Sequence, residues 1–162
     1  MNEAEINALI ETFTCDNVIH CQKARRTLVE MGLEAVPYLL KEMGNKKHWV
    51  RWEATKALSE IGDAAATEGL IIALEDREFD VRWLAAEGLI NIGKHAVIPM
   101  LQALLKNPKS AWLQEGVHHV ISDCRERSLQ KALQPVAAAI ESAGAEVELP
   151  FALKKTIESL KS

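Results

Sequence analysis

Apolar residues recur along this chain at helical spacing, in blocks that themselves repeat. Val50, Ala54, Ala57, Leu58 and Ile61 stand at i, i+4, i+7, i+8 and i+11, one stripe down a helix face. Val81, Ala85, Gly88, Leu89 and Ile92 restate that stripe position for position. An earlier block, Ala24, Leu28, Met31 and Gly32, stands in the same relation to Ala54, Leu58, Ile61 and Gly62. Each stripe ends at or just before a glycine, the residue that best tolerates the left-handed conformation closing a helix. A second apolar segment follows each glycine, over 35–43, 65–74 and 96–105. Pro37 and Pro99 stand early in these segments, where a first helical turn tolerates a missing N–H. Polar turns at 44–47, 75–78 and 106–110 separate the blocks, and no segment alternates at strand period.

A fourth block is altered. One further period on, Trp112, Gly116, His119 and Val120 take the places of Val81, Ala85, Gly88 and Leu89, while Asp123 and Cys124 replace Ile92 and Gly93. Pro135 lies further from Pro99 than one period allows, which predicts a short insertion near 125–129. The expected second helix of this block starts at Pro135. Asp16 or Asn17 is positioned to cap the helix that follows the opening one. A fixed period of about thirty residues marks stacked supersecondary units. The expected fold is therefore all-α, a single solenoid domain over 1–162 of about five stacked helix pairs. Its parts are an opening helix 3–13, repeats near 17–45, 47–76, 79–107 and 110–143, and a closing helix 149–161.

Composition narrows the function classes. Hydrophobic residues make up 48% of the 162 residues and the net charge is −4, against the basic surface typical of phosphate-backbone binding. Nucleic acid is not expected as a partner. Cys15, Cys21 and Cys124 form no CxxC pair and leave an odd count, which argues for a reducing compartment. No stretch approaches the roughly 20 apolar residues of a membrane span. The first five residues are acidic, without a basic or apolar leader. A cytoplasmic location is the resulting expectation.

The repeated residues also carry a signature. Val81-Arg82, Ala85-Ala86, Leu89, Ile92-Gly93 and Ala96-Val97 stand in the register V-R-x-x-A-a-x-a-L-x-x-I-G followed by A-V. This pattern resembles the short HEAT-like repeat of phycobilin lyases, over residues 18–124 and more loosely at the termini. The resemblance implies a right-handed superhelix in which the variable positions of the V-R helices face a partner. Carried over residue by residue, these include Arg26, Trp52, Glu53, Lys56, Trp83, Leu84, Glu87, Gln114 and His118. It also implies that Arg51 and Arg82 are structural, each reaching an acidic residue in a neighbouring turn, with Asp76 or Asp80 serving Arg82.

Helix geometry points to the same face. Trp52 lies about 200° round the helix from Val50, away from the buried stripe, and Trp83 stands in the same relation to Val81. With repeats stacked at about 8–10 Å, the two indoles are expected to form one platform, rimmed by Lys56, Glu87, Arg26 and His118. Trp49 and Trp112 are expected to pack. His119 and Asp123, at i and i+4, are expected to form a buried polar pair closing the regular stacking. A zinc site needs three or four converging ligands, so no metal, cofactor or catalytic residue is expected. The leading expectation is a non-enzymatic module that binds a protein or peptide, basic or amphipathic, on its concave face. A phycobilin-type lyase or lyase subunit is the alternative, and a DNA-binding or repair protein the third.

Overall fold

A computed structural model describes residues 3–15 and 17–161; Asp16, one of the two expected caps, lies outside them. Ten α-helices and three short 3-10 turns run through the described residues. They are α1 (Glu3–Glu11), α2 (Val18–Met31), α3 (Val36–Glu42), α4 (His48–Ile61), α5 (Thr67–Ala73), α6 (Phe79–Ile92), α7 (Lys94–Lys106), α8 (Ala111–Ser122), α9 (Arg127–Glu141) and α10 (Ala145–Lys161).

The local chemistry of the helix ends follows from the sequence. The Asn17 side chain accepts from the N–H groups of Ile19 and His20 at the start of α2, and Ser110 Oγ accepts from Leu113 N–H at the start of α8. Each satisfies a backbone donor that the first turn leaves without an intrahelical partner. Gly62 closes α4 at φ +64°, in the left-handed region, where a side chain adds strain. Pro99 departs from expectation. The helix α7 begins at Lys94, directly after Gly93, with no intervening 3-10 turn of the kind seen at 32–34 and 64–66, so Pro99 falls inside it.

Two rows of helices stack. The first row runs α2, α4, α6, α8; in the second, α7 packs on α5, and α10 packs on α7. Residues at equivalent depth in the first row recur as Leu28, Leu58, Leu89 and Ile121, each at most 1% exposed. A fully buried aliphatic side chain of this size stabilises the fold by about 1.5–3 kcal/mol. Between the rows these layers merge into one continuous core from Ile6 to Ile157.

The C-terminal end differs from the expected layout in two ways. The second helix of the altered block, expected from Pro135, starts at Arg127, so most of the segment 125–129 lies inside α9. That helix packs on α8 and α10, and it is α10 that continues the second row on α7. The register of α8 is also one residue later than a strict period gives. Leu113, not Trp112, takes the place of Val81: Leu113 is 2% exposed and Trp112 44%. The step between core positions lengthens by one residue at each junction, from Leu28 through Leu58 and Leu89 to Ile121.

Candidate functional site

Each first-row helix from α4 to α8 carries, near its start, a side chain that hooks the turn before it. Arg51 Nη1 donates to Asn45 O at 3.0 Å, Arg82 Nη1 to Asp76 O at 2.8 Å and Gln114 Nε2 to Pro108 O at 2.6 Å. The sequence separation is the same in all three cases. The hook fixes the repeat register independently of the apolar pattern, and it assigns Gln114, expected on the partner-facing surface, to the arginine position.

The junction between α4 and α6 is tied by polar pairs. Arg51 is 5% exposed and grips Asp76 through Nε–Oδ2 at 2.7 Å and Nη2–Oδ1 at 3.0 Å. The hydrogen bonds that Arg51 donates to Asp76 push its guanidinium up from its ordinary value, against the effect of burial. Burial pushes Asp76 up, but hydrogen bonds from Arg51 and from the Glu78 N–H, with the charge of Arg51, outweigh it and hold the carboxyl below its ordinary range. His48 Nε2 lies 2.9 Å from Asp80 Oδ1. Asp76 and Asp80 therefore serve Arg51 and His48. The expected carboxylate for Arg82 is absent among the described residues, because Asp76 turns its side chain to the preceding repeat and offers Arg82 only its carbonyl.

The junction between α6 and α8 is built differently. Phe79 and Trp112 stand where His48 and Asp80 stand one junction earlier, and the Arg82 guanidinium lies over both rings, 5.6 Å from Phe79 and 4.6 Å from Trp112. Trp83 extends the aromatic wall, tilted against Phe79 at 6.1 Å and against the His119 ring at 4.1 Å between centroids. Together with Ala86, Glu115, Gly116 and His118 these residues line a cleft of about 240 Å³. Phe79, Trp83 and Trp112 remain 57%, 48% and 44% exposed, an apolar surface of the kind that marks a binding face.

Beside the cleft, at His119, three titratable groups converge. His119 Nε2 lies 3.2 Å from Glu87 Oε1 and 3.5 Å from Asp123 Oδ2. One donor atom from each falls within 4.8 Å of the others. The expected isolated His119–Asp123 pair on the packing side is thus corrected: the one-residue shift in register sets His119 opposite Glu87, on the cleft side, and leaves the Asp123 side chain 61% exposed. Both carboxylates meet the same ring nitrogen, Nε2.

The remaining expected site residues scatter. Trp52 does not share a platform with Trp83; it stacks on Trp49 at 4.8 Å with planes 2° apart, the contact of side chains three apart on one helix, and Arg25 covers it at 5.6 Å. Glu53, expected to face a partner, is 1% exposed and ion-paired to Arg25. Burial pushes its carboxyl up against the pull of that arginine. Leu84 is 8% exposed and belongs to the interior. Lys56 pairs with Glu60 at 3.6 Å, His118 Nε2 with Glu141 at 2.7 Å, and Arg26 is exposed on α2. Sequence reasoning missed Phe79, Arg82 and Trp112 as site residues. The stripe Leu113, Val117, Val120, Ile121, which matches Val50, Ala54, Ala57, Leu58 in spacing, carried the signal that frees Trp112 for the surface.

The PBS lyase HEAT-like repeat matches residues 50–76 and 81–107. Over 96 residues, 59% of this chain, the sequence is 36% identical to the phycocyanobilin lyase subunit alpha of Picosynechococcus sp. (strain ATCC 27264 / PCC 7002 / PR-6). The match spans 31% of that relative, so the chain corresponds to about a third of its length. A chain in the solved complex of CpcE and CpcF of phycocyanin lyase from Nostoc sp. PCC7120 superimposes with a TM-score of 0.60. That superposition covers 99% of this chain and 100% of the other at 24% identity, and it establishes the shared fold. Among the described residues no helix is long and apolar enough to cross a membrane. The expectation of a generic non-enzymatic module is overturned by the relation to a lyase component, which the lyase alternative had anticipated. Residues 50–76 and 81–107 are thus PBS lyase HEAT-like repeats, in a chain that is similar over 96 residues to phycocyanobilin lyase subunit alpha.

Proposed function

We propose that this chain acts as a subunit-type component of a bilin lyase. It holds an open-chain tetrapyrrole in the α6–α8 cleft while the pigment is joined to, or removed from, a carrier protein, and it works beside a second helical-repeat subunit. The observation that carries this reading is the 36% identity over 96 residues to a protein named as a phycocyanobilin lyase subunit. The cleft chemistry agrees with it. A flat conjugated ligand finds three aromatic side chains, Phe79, Trp83 and Trp112, and a cation, Arg82. A lyase adds a group across a double bond or eliminates to form one, so a proton must move; we assign that transfer to His119, whose Nε2 faces Glu87 and Asp123.

The test begins with phycocyanobilin and the chain alone. Binding is expected to shift the pigment's absorption and to quench tryptophan emission, and Trp83→Ala is expected to weaken both. With a partner subunit and a carrier apoprotein added, the chain is expected to accelerate formation of a coloured adduct that survives denaturation. His119→Gln is expected to slow that step by about 10²-fold or more with pigment binding retained. An unchanged pigment spectrum at high protein concentration, together with no effect on adduct formation, would refute the proposal.

A further inference from the structure

Comparing the α4–α6 and α6–α8 junctions of the first row atom by atom isolates Arg82. In both Arg51 and Arg82, Nη1 is occupied by a carbonyl oxygen of the preceding turn. In Arg51 the opposite edge, Nε with Nη2, receives both oxygens of Asp76 from the next turn. The residue that the hook identifies as the counterpart of Asp76 in the following turn is Pro108, which Gln114 contacts as Arg82 contacts Asp76. Proline carries no charge, and its neighbour Asn107 donates to Glu75 Oε1. Among the described residues, Arg82 has no carboxylate within ion-pairing distance. Its guanidinium is half-buried and flanked by Trp112 and Phe79.

We infer that Arg82 is the carboxylate receptor of the cleft: its Nε–Nη2 edge takes a ligand carboxylate in the two-point geometry by which Arg51 takes Asp76, and the flanking rings take the ligand's flat body. Several features of the site support this. A guanidinium fork matches a carboxylate bidentately. Stacking against rings holds the fork in plane and reduces its contact with water, which strengthens the charge-assisted hydrogen bonds. The residues that replace His48 and Asp80 at this junction, Phe79 and Trp112, supply the aromatic walls, and Pro108 in the place of Asp76 leaves the cation beside them without a carboxylate. Glu115 also lines the cleft and is exposed, which directs an anionic group to the Arg82 side. The occupant this fits is a conjugated planar molecule bearing a flexible carboxylate arm, such as the propionate of an open-chain tetrapyrrole. In naming the tetrapyrrole, the inference rests on the proposed function; the receptor itself is testable without it.

The experiment compares ligands with and without the charge. Biliverdin and its dimethyl ester are titrated into the full chain by tryptophan quenching, alongside pyrenebutyrate and pyrenebutanol, which share the acid–neutral contrast on an unrelated flat body. The variant is Arg82→Gln, since Gln114 already makes the same turn hook in α8 and glutamine therefore preserves the local fold; circular dichroism and Tm verify this. The native chain is expected to prefer each acid over its neutral partner by about tenfold. Arg82→Gln is expected to abolish that preference while binding of the neutral ligands stays within about twofold. Glu115→Gln is expected to strengthen acid binding without affecting the neutral forms. If biliverdin fails to bind but pyrenebutyrate binds in an Arg82-dependent way, the tetrapyrrole reading falls and the receptor stands. A preference for acids that persists in Arg82→Gln, or no preference in the native chain for either pair, overturns the receptor.

Discussion

Replacing Asp76 by alanine should cost this chain a large share of its stability. The Arg51 and Asp76 side chains are 7% and 11% exposed and meet through two hydrogen bonds. Removing one partner leaves a buried guanidinium with only the Asn45 and Lys46 carbonyls for acceptors. Breaking a buried pair in this way costs about 3–5 kcal/mol, against a total stability on the order of 5–15 kcal/mol for a natural domain. With a urea slope of about 1–3 kcal/mol per molar, the unfolding midpoint should fall by on the order of 1–5 M. The double variant Arg51→Met, Asp76→Ala should recover much of the loss, since it leaves no buried charge. The pH dependence has a definite sign. Asp76 titrates below its ordinary 3.8 in the folded chain, so its contribution is present above that value and is lost as pH falls through the lowered one. The gap between native chain and variant should be widest near neutrality and close at strongly acidic pH. A loss below about 1 kcal/mol at neutral pH would mean that the pair behaves as a surface ion pair, and the reasoning would fail.

Glu53 should behave in the opposite sense. Its carboxyl is pushed above the ordinary 4.5 by burial, so its favourable contribution is present below that value and lost as pH rises through the raised one. Glu53→Gln should therefore gain stability relative to the native chain across that rise, followed by urea unfolding; a constant difference over that range would contradict the assignment. Gly88→Ala should destabilise despite alanine's better helix propensity. Its Cβ would lie 2.8 Å from Leu70 Cδ1 and 3.2 Å from Ser59 Cα, a crowding worth about 1–3 kcal/mol, and a raised Tm would rule that out. Cys15 and Cys21 bring their sulfurs to 3.7 Å. Burial pushes the Cys21 thiol up, so alkylation should label Cys15 first and dibromobimane should bridge the two within one chain; equal labelling rates would refute this.

The sequence makes the stacking legible and the site only partly so, for a physical reason. Stacking requires a residue of one size at one depth, so Leu28, Leu58 and Leu89 repeat and can be counted. The cleft forms where that requirement lapses. Its walls come from the starts of two helices in different repeats, and their juxtaposition depends on a longer step at the last junction, seen in the His119–Glu87 pair. A constant step, equal to the one before it, turns α8 by one residue, about 100°, which buries Trp112 and sends His119 to the packing side. Trp83 and Glu87 are identifiable as surface positions from the helical period alone. Arg82 is not, since its equivalent one repeat earlier, Arg51, is buried; the difference lies in the following turn, at Asp76 and Pro108.

The hook that joins each of these helices to its preceding turn grips a carbonyl oxygen, a group that every residue possesses. It is therefore blind to the side chain at the gripped position, and asparagine, aspartate and proline serve it alike at 45, 76 and 108. The side chains of those turns are released to decide something else, namely how the neighbouring repeat's arginine is treated. An acidic residue locks it inside the wall, and an uncharged one leaves it to whatever enters from outside. In this chain Pro108 stands where Asp76 stands one turn earlier, and together with Phe79, Trp112 and the longer step of α8 it leaves Arg82 without the carboxylate that holds Arg51.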